Sequence, residues 1–233
     1  MRVLITSGGT KVPIDPVRDI TNKSNGTFGS KIATEFLEAG HHVDFLYAKH
    51  SKTPFTININ VFEQEELESR RIPEKFYALF RNHHHQYTES CYTSFQDYET
   101  ELQSLCQYIK YDAILLAAAV SDYLVDGYSN TKIKSSEDMQ IKLSHAPKLI
   151  SKVKTWCPTA KLIGFKMLVD VSDEELISAA KKSIESNGCS LVIANDYKKL
   201  ASGNHEIIIV ASYGGTKYSS MQAAMVRRHV EQL

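Results

Sequence analysis

Between Thr6 and Lys31 the chain reads TSGGTKVPIDPVRDITNKSNGTFGSK, and several groups in it suit the binding of an anionic ligand. Asp15, Arg18, Asn22 and Ser24 are interleaved with apolar Val12, Ile14, Val17 and Ile20, so the segment can pack while presenting its polar side chains. The stretch SNGTFG, Ser24 to Gly29, sets Gly26 and Gly29 at the start of a helix, where unpaired N–H groups and the helix dipole favour phosphate. The same two glycines would equally allow a helix to pack tightly on a sheet. Far along the chain, Lys132 and Lys134 fall on one face of a strand by a period of two, where they either neutralise phosphate or are simply solvated. Asp122 closes the most apolar run of the sequence, and a carboxylate there binds a ribose hydroxyl, a substrate hydroxyl or a metal, or else caps a turn.

The flanking patterns supply a scaffold for these groups. Arg2 to Thr6 reads as a buried strand, Phe28, Ile32, Ala33, Phe36 and Leu37 recur at helical spacing from Gly26 to Ala39 with Gly40 as the stop, and His42 to Tyr47 alternates as a second strand. Strand, crossover helix and strand form a βαβ unit with a parallel pair. The connection from Thr6 to the helix far exceeds the usual length of about 2 to 6 residues, which marks it as functional.

Downstream, a helix is predicted from Phe95 to Lys110, and Ala113 to Val120 is predicted as a central strand buried on both faces. Thr131 to Ser144 reads as two short strands around a polar turn. Pro147 opens a helix, Leu162 to Met167 is a strand, and Ser172 with Glu175 forms a capping box for a helix ending at Gly188. Leu191 to Asp196 is another strand, a hairpin turns at YGGT, and a last helix covers Ser219 to Gln232.

The whole predicts an α/β fold: a doubly wound, mainly parallel Rossmann-like sheet with helices on both faces and an added β arm, as a single domain over residues 1–233. Pro54 to Glu89, with a charged patch (Glu63 to Arg71) and a histidine triplet (His83 to His85), is read as an insertion. Ligands of such sheets bind beyond the carboxyl ends of the strands, near the reversal of strand order. That directs attention to Thr6–Gly29, to Ser121–Lys134, and to the residues after Ile163 and Ile193.

Composition excludes other classes. Lys plus Arg and Asp plus Glu both total 27, so no basic excess points to nucleic acid. The longest apolar run, Ala113 to Val120, is far short of the roughly 20 residues of a membrane helix, and the apolar start is too brief for a signal peptide. A soluble, cytoplasmic protein without a membrane partner is expected. Cys91, Cys106, Cys157 and Cys189 have neither zinc-site nor disulfide-framework spacing, and adjacent histidine side chains diverge too much to share a metal, so no metal ligand is assigned.

Taken together, TSGGTKVPIDPVR, ITNKSNGTFG, AAAVSDY, KIKS, LSHAPKLI, IGFK and IANDY make the sequence resemble phosphopantothenoylcysteine synthetase (phosphopantothenate-cysteine ligase) in its free-standing bacterial form, without the decarboxylase domain often fused to it. The motifs occur in family order and span nearly the whole chain except about residues 54–89. The resemblance implies activation of the 4'-phosphopantothenate carboxylate by CTP with Mg2+, ATP being the alternative, to an acyl nucleotidylate with release of pyrophosphate. The amine of cysteine then displaces CMP. The place of the reaction is coenzyme A biosynthesis.

By the same resemblance Gly8, Ser24, Gly26 and Gly29 bind the nucleotide phosphates, and Asn22 binds substrate and stabilises the acyl intermediate. Arg18 reaches substrate across a homodimer interface, so active sites are shared. Ala118 and Ala119 let the backbone meet phosphopantothenate, with Asp122 as a polar partner, and Lys132 contacts the nucleotide and aids formation of the intermediate. Phe165 and Asn195 are nucleotide contacts, and LSHAPKLI is the flap over the intermediate, which hydrolyses unproductively if water enters.

The chain departs from the family pattern at Asn25, where many relatives have serine, and at Met167, Leu168 and Val169, where an acidic residue with threonine is common. A rival reading rests on Tyr128 and Lys132, a YxxxK pair like that of NAD(P)-dependent short-chain dehydrogenases, where lysine lowers the tyrosine pKa. That pair needs a helix, and no GxGxxG loop accompanies it.

Overall fold

The computed structural model describes residues 1–55, 74–135, 138–219 and 222–233. In chain order its elements are β1 (Arg2–Ser7), a hairpin of β2 (Lys11–Asp15) and β3 (Arg18–Thr21), α1 (Thr27–Glu38), β4 (His42–Ala48), α2 (Glu74–His83), β5 (Tyr87–Tyr92), α3 (Phe95–Tyr108) and β6 (Ala113–Leu116). A second arm follows, β7 (Tyr123–Asp126) with β8 (Lys142–His145), then α4 (Ile150–Trp156), β9 (Lys161–Leu168), α5 (Asp173–Asn187), β10 (Leu191–Asp196), α6 (Tyr197–Ala201), β11 (Ile207–Ala211), β12 (Gly214–Tyr218) and α7 (Gln222–Glu231).

One eight-stranded sheet runs β12-β11-β10-β9-β6-β1-β4-β5, parallel from β10 to β5, with β11 and β12 antiparallel at one edge. The strand order reverses between β1 and β6. The central strand shows why the sheet must be covered twice: Val3 and Ile5 join Ile32, Phe36, Val226 and Val230 of α1 and α7 on one face, and Leu4 joins Leu102, Val153 and Leu176 of α3, α4 and α5 on the other. Such burial on both faces is what a parallel sheet requires. The apparent alternation of β4 hides a buried carboxylate, since Asp44 accepts from Arg2 Nε at 2.7 Å inside the sheet.

Local signals hold where they are chemical. Ser172 and Glu175 make the expected capping box for α5, and Gly188 ends it in the left-handed conformation at φ 66°. The sheet includes part of the segment read as an insertion, because Tyr87 to Glu89 belong to edge strand β5. The charged patch Glu63 to Arg71 lies outside the described residues.

The arms differ from expectation. The long connection after β1 is itself the β2–β3 hairpin, which the alternation of Val12, Ile14 and Ile20 did not announce because prolines interrupt it. The predicted strand Ala113 to Val120 stops at Leu116, since the backbone of Ala118 and Ala119 turns to bond the β1 loop instead of a ladder. Thr131 to Lys134 is not a strand, so Lys132 and Lys134 do not share a strand face. The partner of β8 is β7, paired from Tyr123↔His145 to Asp126↔Lys142.

Candidate active site at the strand-order reversal

The loops leaving β1 and β6 are stapled to each other. The Ala119 N–H donates to the Gly8 carbonyl at 2.7 Å, and the Thr10 N–H donates back to the Ala119 carbonyl at 3.2 Å. The same Ala119 carbonyl accepts from Asn22 Nδ2 at 2.9 Å, while Thr6 Oγ1 accepts from the Ala118 N–H at 3.2 Å and Thr10 Oγ1 from the Ser121 N–H at 2.9 Å. Thr6 and Thr10 are fully buried, so their hydroxyls are committed to this fastening rather than to solvent. Gly8, Asn22, Ala118, Ala119 and Asp122 are thereby brought into one neighbourhood.

The turn into α1 lies beside it. Ser24 donates its N–H to the Asn22 carbonyl at 2.9 Å, and Asn25 Oδ1 accepts from the Thr27 N–H at 3.1 Å. Gly26 sits at φ 76°, a conformation that L side chains avoid, and a Cβ on Gly29 would lie 2.4 Å from Ser7 Oγ. The packing reading of these glycines therefore holds in full. No acidic residue occupies that turn. Phe165, in the middle of β9, meets Phe28 of the same turn edge to face, with ring centroids 6.1 Å apart. Asn195 is half-buried near the carboxyl end of β10, opposite Met167 of β9.

The arms enclose a cleft of about 240 Å³ lined by Val12, Ile20, Asn22, Ser121, Asp122, Tyr123 and Leu143. Its mixture of apolar walls with a few polar groups suits a small, partly aliphatic ligand. Asp122 ion-pairs with Lys148, and its carbonyl accepts from the Ala146 N–H at 2.9 Å, so the predicted flap segment is anchored to the cleft. Lys148 escaped the sequence reading; its only signal was a cation next to the proline of the flap segment.

Asp15, read from the sequence as presented to a ligand, is instead turned inward. It is 2% exposed, and its Oδ2 accepts from Arg18 Nη1 at 2.6 Å and from the Ile133 N–H at 3.2 Å. Burial pushes the carboxyl upward, but the Val17 and Ile133 N–H groups and the Arg18 guanidinium outweigh it and hold the group below the usual carboxylate range. Among the described residues, neither Lys132 nor Lys134 has a hydrogen-bond or ion-pair partner joining it to the cradle.

The region of the rival YxxxK pair is irregular chain: Ser129 donates its N–H to the Ile14 carbonyl at 3.2 Å, Tyr128 is exposed, and no helix aligns Tyr128 with Lys132. Tyrosine–lysine proton transfer lacks its scaffold here. His83 ends α2, and the rings of His84 and His85 stand at 88°, diverging as adjacent side chains do.

The family described as DNA/pantothenate metabolism flavoprotein C-terminal domain matches residues 1–71 and 92–231, which include every candidate residue above. The chain belongs to this family. The coenzyme A biosynthesis bifunctional protein CoaBC of Thermococcus kodakarensis is 35% identical over 98% of this chain and 48% of its own length. The human phosphopantothenate–cysteine ligase is 33% identical over 83% of this chain and 71% of its own. The crystal structure of the DNA/pantothenate metabolism flavoprotein from Streptococcus pneumoniae superimposes with a TM-score of 0.79 at 28% identity, covering 100% of this chain and 99% of that one. The chain spans about half the length of the bifunctional relatives it matches, 48% and 50% of the two. Residues 72–91 fall outside the family match and overlap the second half of the segment 54–89 read as an insertion.

Proposed function

We propose that this chain joins 4'-phosphopantothenate to cysteine in coenzyme A biosynthesis, and that residues 1–233 form one ligase domain. The observation that carries the reading is the Asn22 amide bonded to the Ala119 carbonyl at the reversal of strand order, between the α1 turn and the cleft of the arms. An oxygen of the substrate carboxylate attacks the α-phosphorus of CTP, and the bond to pyrophosphate breaks with its electron pair leaving on pyrophosphate. The cysteine amine then attacks the acyl carbon, CMP leaves, and the amine's surplus proton passes to solvent.

Each residue has a task in that scheme. Gly8, Gly26 and Gly29 present backbone N–H groups to the phosphates and Ser24, whose N–H is held by the Asn22 carbonyl, its hydroxyl; Phe165 and Asn195 hold the nucleoside end, and Lys132 offsets charge developing at the triphosphate. Ala118, Ala119 and Asp122 receive phosphopantothenate, and Asn22 donates to the acyl oxygen. Mg2+, which keeps several waters and binds substrate phosphates, belongs to this proposal as a partner of the triphosphate. The choice of CTP over ATP belongs to this proposal.

Exposed Val17, Tyr123, Tyr128 and Leu143 on and beside the arms support a homodimer in which Arg18 serves the neighbouring site. No helix among the described residues is long and apolar enough to cross a membrane, which is compatible with the cytoplasmic setting proposed. The test is nucleotide-dependent pyrophosphate release with phosphopantothenate, followed by consumption of cysteine. Reduction of NAD(P) without ligation would overturn the reading.

A further inference from the structure

Ile133 carries no reactive group, yet both of its backbone polar groups are held by one ion pair from the other arm. Its N–H donates to Asp15 Oδ2 at 3.2 Å, and its carbonyl accepts from Arg18 Nη1 at 3.2 Å, while those two side-chain atoms are 2.6 Å apart. Asp15 is fixed in turn by the Val17 N–H, 2.9 Å from Oδ1. A second attachment lies close by, because the Ser129 N–H reaches the Ile14 carbonyl and Ser129 Oγ donates to the Thr131 carbonyl. The exposed Lys132 and Lys134 flank the held residue on either side.

An ion pair with one buried member is a weak source of stability, because desolvation offsets much of the attraction; fixing a register is its better-attested use. Here the register fixed is that of a segment with no ladder of its own. We propose that Asp15 is a positioning residue for Lys132: with Arg18 it clamps the Ile133 peptide and so fixes the backbone that carries the ammonium. Misplacing a charge-bearing group by about 1 Å can cost on the order of a hundredfold in rate, so a clamp on the adjacent peptide has a direct kinetic consequence. The inference rests on the nucleotide role proposed above for Lys132.

Two measurements separate the clamp from that role. Asp15→Asn keeps the size of the side chain and one acceptor but loses the charge, and it should speed hydrogen exchange at the Ile133 amide by about tenfold or more. Unchanged exchange overturns the clamp, whatever the enzyme proves to do. In pyrophosphate release, Asp15→Asn should lower kcat by about tenfold with a smaller change in KM, as expected when a group acting in the transition state is displaced.

In a Lys132→Gln background the same change should cost less than about twofold, because the group it positions is gone. Fully multiplicative losses would overturn the assignment to Lys132. If the wild-type chain releases no pyrophosphate, the functional reading fails and the exchange result alone decides the clamp. Should Asp15→Asn not fold, Arg18→Lys, which keeps the charge but not the shared Nη1, supplies the exchange measurement, and unchanged Ile133 protection there overturns the proposal.

Discussion

The turn into α1 and the two arms meet at the same strand ends but are specified by different forces. In the turn, Gly26 and Gly29 lie against Ser7, and a Cβ on either would come within 3.0 Å of its Oγ. The arms instead rest on small two-stranded sheets, an Asp15–Arg18 pair and single hydrogen bonds to backbone, and apart from buried Val12, Ile14 and Asp15 the side chains of their strands are half-buried or exposed. Steric specification tolerates almost no substitution but is indifferent to pH. Electrostatic specification keeps its shape through many substitutions but depends on charge state and on what covers it.

The largest effect is expected where the two regions touch. Asn22→Asp replaces the donor to the Ala119 carbonyl by a carboxylate that repels it, and removes the donation proposed for the acyl oxygen; losing one such donor costs about a hundredfold or more in rate. Because Asn22 is exposed, its folding stability should fall by only about 1 kcal/mol. Trapping the acyl nucleotidylate without cysteine, beside a urea melt, reads both quantities. A variant that loses several times that stability yet retains the specific activity of its folded fraction would place Asn22 in the scaffold instead.

The next effect belongs to the cradle. Gly29→Ala puts a methyl 2.4 Å from Ser7 Oγ and 2.8 Å from its Cβ, an overpacking worth about 1–3 kcal/mol of stability. Ser7→Gly removes both obstructing atoms, so the double variant should recover part of that loss. Additive losses in a denaturation cycle would show that the helix, not Ser7, is what gives way.

What the sequence made legible follows the same division. Period and capping chemistry announced α1, α5, β1 and β10, because each depends on local residues, whereas Phe165 was assigned by resemblance alone. The β2–β3 hairpin and the true partner of β8 were not legible. Prolines break the alternation of the first, β7 lies outside the segment read as the second pair, and the Asp15 bond that joins the first arm to Ile133 spans 118 positions. Lys132 was assigned by resemblance, while the strand meant to carry it does not form, since Asp15 and Arg18 take the Ile133 peptide groups a ladder would need.

A smaller effect concerns acid. The folded Asp15 carboxyl is held below its unfolded value of about 3.9, so its contribution is present above that pH and is lost as pH falls through the folded value. Asp126 is lowered in the same sense, first by Lys142 and then by Ser144. The arms should therefore loosen below about pH 4 while the glycine cradle does not respond directly. Exchange rates at Ile133 and at the Ile32 amide of α1, followed from neutral to acid pH and corrected for intrinsic chemistry, should diverge; parallel changes would mean that the molecule opens as one unit.

The smallest expected effect is at Asp122 and Lys148. Their side chains are 66% and 69% exposed in the single chain, and ion pairs in that setting contribute about 0–1 kcal/mol because water and salt screen them. The Ala146 N–H bond goes to the Asp122 carbonyl, so it survives any change of the side chain and continues to anchor the segment. A double-mutant cycle of Asp122→Asn with Lys148→Gln should accordingly give a coupling below about 0.5 kcal/mol, falling further with added salt. The measurement also tests the state of the arms. A coupling above about 1.5 kcal/mol that resists salt requires the pair to be withdrawn from water, which one chain does not do and a second chain laid against the exposed Tyr123 and Leu143 would. Comparing the cycle across protein concentrations that change the state of association separates these outcomes: an invariant small coupling keeps the pair wet, and a coupling that grows with association puts it inside the interface.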